Sequence, residues 1–133
     1  MAANQWGRIV NITSVSVKQP IDNLILSNSF RSGIIGFAKT ISNDFAKHNI
    51  TVNNVAPGYT LTNRLYDLAV SRAKISNKSH EGVLAEIAKQ VPMNRLCSPE
   101  EIGALVTFLC SNQAGYITGN TIQIDGGLVK GLF

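Results

Sequence analysis

Short β-branched runs alternate with longer segments of helical period along this chain, and this alternation restricts the fold more than any other feature. Arg8-Ile9-Val10-Asn11-Ile12-Thr13 reads as a strand over residues 7–13. From about Leu24 to Lys47, Leu26, Phe30, Ile34, Phe37, Ala38, Ile41 and Phe45 recur at three- and four-residue steps, as a helix requires. Its small residues Ser29, Gly33 and Gly36 would let another backbone approach. Ile50 to Val55 is the next strand, stopped by Pro57-Gly58. Residues 61–90 suit helix, interrupted at Asn77-Lys78-Ser79. Ser98-Pro99-Glu100-Glu101 is a helix start: Ser98 can cap, Pro99 suits the first helical position, and Glu101 can close a capping box. Thr121 to Ile124 is a last short strand. Strands separated by helices predict an α/β fold, with three parallel strands and crossover helices.

At 133 residues the chain holds one small domain. Hydrophobic residues make up 44%, enough for a core. The first strand would present an open, apolar edge, which favours pairing with another strand or chain. The net charge of +4 is scattered, apart from a cluster at Arg72, Lys74 and Lys78. Without a dense basic face and aromatic platforms, nucleic acid is not an expected partner. No apolar run is long enough to span a bilayer, and no signal peptide is evident, so a cytoplasmic setting is expected. Cys97 and Cys110 have no metal-ligand spacing; no metal is expected, and both read as small buried hydrophobes.

Several blocks occur in an order that resembles one family. Trp6 to Ser14 ends a strand in Asn11-Ile12-Thr13-Ser14. Gly33-Ile34-Ile35-Gly36-Phe37-Ala38-Lys39-Thr40 lies in the following helix. Ile50 to Gly58 ends in a Pro-Gly turn with Thr62 just beyond. Ser98-Pro99-Glu100-Glu101-Ile102 and Ile117 to Gly127 complete the set. Together these resemble the C-terminal half of a short-chain dehydrogenase/reductase and are similar to the 3-oxoacyl-carrier-protein reductases. The resemblance implies half of a Rossmann-like, doubly wound parallel sheet. It covers residues 1–133, and residues 61–90 correspond to the family's variable, substrate-covering segment. The glycine-rich pyrophosphate turn, the residues that select NAD or NADP, and a catalytic asparagine belong to the family's other half, which is absent from this chain.

By that resemblance the catalytic positions are Ser14, Ser27 and Arg31. Ser14 keeps the family serine, which steadies the substrate oxygen. Ser27 stands where the family has tyrosine, and Arg31 where it has lysine. An aliphatic hydroxyl is far less acidic than a phenol and cannot simply replace it as a general acid. Arginine keeps the positive charge, but its planar fork differs from an ammonium. Ser27 and Arg31 are one helical turn apart and share a face. The paired change fits either a retooled or a relaxed site. Cofactor contact is implied for Arg31, Pro57, Gly58, Thr60 and Thr62; an ordinary helix-starting turn is the plain reading of Thr62. Tyr59 and Tyr66 are possible surrogate phenols, and His48 and His80 read as surface residues. The implied function is an NAD(P)-dependent oxidoreductase that interconverts a small carbonyl and an alcohol, in a homo-oligomer. The alternative is a non-catalytic remnant that serves as an oligomerisation or interaction partner.

Overall fold

The computed structural model describes residues 1–132. Three strands form one parallel sheet in the order β1 (Gly7–Ile12), β2 (Ile50–Pro57), β3 (Thr121–Ile124). Helix α1 (Ile25–Phe45) is the crossover between β1 and β2 and lies against β2. Helices α2 (Asn63–Ser76), α3 (His80–Lys89) and α4 (Pro99–Leu109) fill the second crossover. The expected α/β order is therefore present, with β2 central and β1 at an edge.

Local chemistry sets the helix boundaries. Ser98 and Glu101 form the predicted capping box, with Pro99 at the first helical position. Asn77 adopts a left-handed conformation that ends α2, and the Ser79 side chain caps α3. Other bounds moved slightly. β1 stops at Ile12, α1 gives way to a 3-10 turn at Ala46–His48, and β2 runs on through Pro57. A proline is tolerated at a strand terminus, where its missing N–H breaks no ladder.

Two apolar clusters hold the layers together. Leu109 of α4 packs with Val55 and Ala114 against Val10, Ile122 and Ile124, covering one face of the sheet. Leu65, Ala69 and Ala73 of α2 pack on Val83 and Ile87 of α3. The central strand also buries two asparagines. Asn54 accepts from Asn11 Nδ2 (3.0 Å) and donates to Thr121 Oγ1 (3.2 Å), a side-chain ladder across all three strands. Its neighbour Asn53 donates to the Ile117 carbonyl (2.7 Å) and accepts from the Asn120 amide (3.2 Å), which clamps the loop before β3.

The apolar stripe of α1 does not join this core. Leu26, Phe30, Ile34, Phe37 and Phe45 are exposed, Phe30 by 74%, whereas small Ala38 and Ser42 are the buried residues. Gly33 and Gly36 have open space where a side chain would stand. Cys110 is likewise exposed, contrary to its expected burial, and Cys97 is half-buried. No helix among the described residues is long and apolar enough to cross a membrane.

Candidate active site

In a parallel sheet, ligands bind beyond the carboxyl ends of the strands. Ile12 pairs with Val55, so the ends of β1 and β2 lie at the same edge. Ser14 and the turn from Gly58 to Thr62 follow directly from these ends, whereas Ser27 and Arg31 lie on α1.

Beyond β1 the backbone is tied down at once. Thr13 donates its amide (2.8 Å) and its hydroxyl (2.9 Å) to the Val55 carbonyl. Ser14 follows in extended conformation, and its Oγ accepts from the Ser16 amide at 3.1 Å, capping a 3-10 turn over Val15–Val17. The Ser14 hydroxyl proton has no acceptor among the described residues. The loop to α1 is pinned where Asn28 Nδ2 donates to the Ile21 carbonyl (2.9 Å).

Arg31 reaches back from α1 to this strand end. Its Nη1 donates to the Thr13 carbonyl (2.6 Å) and its Nε to Ser27 Oγ (3.0 Å). Two of the five guanidinium N–H groups are used in this way; the others have no protein partner among the described residues. Arg31 makes no salt bridge among them either. Ser14, Ser27 and Arg31 are all half-buried. Arg31 thus joins Ser27 to Thr13, the residue next to Ser14 in the chain, and the part Thr13 plays was not legible in the sequence because it works through its main chain.

The second element is the turn after β2. The Gly58 amide donates to the Ile124 carbonyl (3.0 Å), and a Cβ on Gly58 would lie 2.9 Å from the Asp125 Cα. Only glycine permits so close an approach of the β2 and β3 ends. The turn then pairs with the segment before α4. The Cys97 amide donates to the Tyr59 carbonyl and the Leu61 amide to the Cys97 carbonyl, both at 2.9 Å. Thr60 Oγ1 donates to the Gly58 carbonyl (3.3 Å), and Thr62 Oγ1 accepts from the Leu65 amide (3.4 Å) as the cap of α2. Pro57, Gly58, Thr60 and Thr62 therefore form one braced turn, and the helix-start reading of Thr62 holds. A cavity of about 320 Å³ behind the turn is lined by Tyr59, Met93, Cys97, Ile124 and Asp125.

An ion pair supports that brace. Arg95 donates to both oxygens of Glu101 (2.7 and 2.8 Å), and Glu101 also accepts from the Ser98 amide (2.8 Å). The Arg95 bonds first, and the Ser98 amide second, hold the Glu101 carboxyl down at about 2, against an ordinary 4.5. Burial, with Glu101 adding to it, pushes the Cys97 thiol up. A carboxyl with a lower pKa in the folded chain stabilises the fold above its ordinary pKa, and that contribution fades as pH falls through the window from 4.5 to about 2. Glu101→Gln should therefore melt below the wild type at neutral pH and approach it across that window. Melting curves separated equally at every pH would contradict this.

The remaining expected residues lie apart from this group. Tyr66 pairs its hydroxyl with His80 Nε2 (3.2 Å), and His80 contacts Glu81 (2.9 Å), so His80 links α2 and α3 through an exposed contact. His48 Nδ1 lies 3.0 Å from Gln5 Nε2. Among the described residues no cluster of His, Cys, Asp and Glu is arranged to hold a metal ion.

Comparison with known proteins agrees with this geometry. Residues 1–129 match the family model described as enoyl-(acyl carrier protein) reductase. The chain is 38% identical over 132 residues to the NADPH-dependent reductase BacG of Bacillus subtilis (strain 168), covering 99% of this chain and 51% of that protein. It is 38% identical over 128 residues to the 3-oxoacyl-[acyl-carrier-protein] reductase FabG of Aquifex aeolicus (strain VF5), covering 96% and 47%. L-sorbose reductase from Gluconobacter frateurii, solved with NADPH and L-sorbose, superposes with a TM-score of 0.94 at 32% identity, over 99% of this chain and 51% of that one. The chain thus spans about half the length of the curated relatives it matches. With a matching family model, relatives of this similarity and the same parallel sheet, the chain belongs to the short-chain dehydrogenase/reductase family.

Proposed function

We propose that this chain is the nicotinamide-side half of an NAD(P)-dependent oxidoreductase that interconverts a small carbonyl and an alcohol. The observation that carries the reading is the joining of Ser27 and Arg31 on α1 to the end of β1 through the Thr13 carbonyl. NADPH is named for BacG and is bound in the sorbose reductase structure, and the dinucleotide comes to this chain by that relationship. The residues present fit one end of it. Arg31 has N–H groups left for ribose hydroxyls, and the braced turn at Pro57, Gly58, Thr60 and Thr62 would meet the carboxamide side. No glycine-rich pyrophosphate cradle exists among the described residues; that part belongs to the other half of the domain, on the same or a separate polypeptide.

When bound, the cofactor supplies or accepts hydride. Ser14 has its hydroxyl proton free to donate to a substrate oxygen. Ser27 accepts from Arg31 Nε, which leaves its own proton free in the same way. The segment 61–90, folded as α2 and α3, would cover the substrate.

The exposed stripe of α1 favours a second reading, in which the chain is a non-catalytic partner that associates with itself or with a full-length relative. Phe30 and Phe37 are 74% and 59% exposed, and among the described residues β1 has no neighbour on one edge. One pair of measurements separates the two. Stabilisation of the chain against heat by NADPH or NADH supports the oxidoreductase. No stabilisation by either, together with self-association that Phe30→Asp with Phe37→Asp abolishes in light scattering, supports the interaction protein.

A further inference from the structure

Ring nitrogen Nε2 of His80 stands between two oxygens. The Tyr66 hydroxyl, in the first turn of α2, lies 3.2 Å from it, and Glu81 Oε1, on α3 itself, lies 2.9 Å from it. The Tyr66 and His80 rings meet edge to face, with centroids 5.1 Å apart and planes at 71°. Among the described residues this is the one side-chain hydrogen bond between α2 and α3. Beside it the two helices meet through apolar residues, Leu65, Ala69 and Ala73 against Val83 and Ile87. The ion pair of Lys78 with Glu86 joins the connecting turn to α3 and leaves α2 out.

One nitrogen cannot serve both oxygens in the same way. Nε2 carries either a lone pair or an N–H. A lone pair accepts the Tyr66 proton and is repelled by the carboxylate. An N–H reverses the preference. It donates to Glu81, the nearer and charged oxygen, in the stronger, charge-assisted bond. The Tyr66 proton is then without an acceptor among the described residues. An imidazolium has N–H on both nitrogens, and histidine is the side chain that makes this change nearest neutrality. Tyr66 from α2 and Glu81 from α3 are the titratable groups in contact with the ring. The N-terminus of α3 adds partial positive charge, because His80 is its first residue.

We propose that His80 is a pH-operated latch on the segment 61–90. When the ring is neutral, with its proton on Nδ1, it accepts the Tyr66 hydroxyl and fastens the first turn of α2 to the start of α3. When Nε2 gains a proton from solvent, it passes to Glu81 and releases Tyr66. The apolar contacts remain, so acid loosens α2 without unfolding it. Helix α2 starts at its cap Thr62, which closes the braced turn, so the latch sets how firmly the segment is held beside that turn. The latch goes beyond the oxidoreductase reading; only its bearing on substrate entry rests on that reading.

The test uses the whole chain without nucleotide, in a pH titration by nuclear magnetic resonance. The ring nitrogen shifts of His80 report where its proton sits, and the amides of Leu65 to Asp67 report on α2. The neutral ring should show the Nδ1–H form. As pH falls, those amides should shift with the same midpoint as the ring. Their hydrogen exchange, corrected for the intrinsic effect of pH, should quicken roughly threefold, as loss of one exposed hydrogen bond allows. In Tyr66→Phe, which keeps the aromatic ring, His80 should still titrate while the α2 amides no longer follow it. Glu81→Gln should carry both transitions to lower pH together, because the imidazolium loses its carboxylate. A neutral ring protonated at Nε2 would overturn the proposal. So would α2 amides that ignore the titration of His80, or that follow it equally in Tyr66→Phe. With no nucleotide present, a failed latch leaves the oxidoreductase reading intact, and failure to bind NADPH leaves the latch intact.

Discussion

Replacing Asn54 with leucine is expected to destabilise the chain by about 2–4 kcal/mol, a large share of the roughly 5–15 kcal/mol that holds a typical domain together. Asn54 is 2% exposed, and it alone connects Asn11 to Thr121 through side chains. Leucine has similar bulk, so the loss comes from polarity. Asn11 Nδ2 and Thr121 Oγ1 would each lose a partner at a depth that water does not freely reach. Such losses cost roughly 1–3 kcal/mol each, at the lower end here because Asn11 and Thr121 are only half-buried. Urea denaturation followed by circular dichroism measures the change. A loss below about 0.5 kcal/mol would show that the ladder does not set the sheet.

Arg31→Met has the largest expected effect on chemistry. In the protein completed by its nucleotide-binding half, kcat/KM should fall by about 10²-fold, the usual cost of misplacing a reacting group by an ångström when the residue that positions it is lost. Stability should fall by only about 1–2 kcal/mol. The bonds to Thr13 and Ser27 are made by a charged group, and part of their worth is lost to solvent at a half-buried site. Arg31→Lys should recover the charge but not both bonds, because an ammonium cannot reproduce the fork. Steady-state kinetics with matched unfolding curves would resolve the two effects. Full activity in Arg31→Met would remove this residue from the site.

What the sequence disclosed depended on whether side chains or main chain carried the information. The capping box at Ser98 and Glu101 and the break at Asn77 to Ser79 were legible because specific side chains close those helix ends. The grouping of Ser27 with Arg31 was legible from one turn of helical spacing. Thr13 was not, since it joins Arg31 through a carbonyl that every residue has. Nor was the pairing of Thr60 with Cys97, which is backbone to backbone. In α1 the periodic apolar residues indicated a helix but not which face would meet the sheet. Small Ala38 and Ser42 fit against β2, and the large side chains face outward. Tyr66 and His80 are fourteen positions apart and meet only because α2 and α3 fold back on one another.

The most direct measurement is to divide the dinucleotide. Binding of reduced nicotinamide mononucleotide, of 2′,5′-ADP and of NADPH to this chain would be compared by amide chemical-shift titration. If this half holds the nicotinamide end, the mononucleotide and NADPH should bind with similar affinity. Both should shift the amides of Ser14, Arg31 and Gly58 to Thr62, and 2′,5′-ADP should shift none of them. Binding of 2′,5′-ADP with no response to the mononucleotide would contradict the assignment.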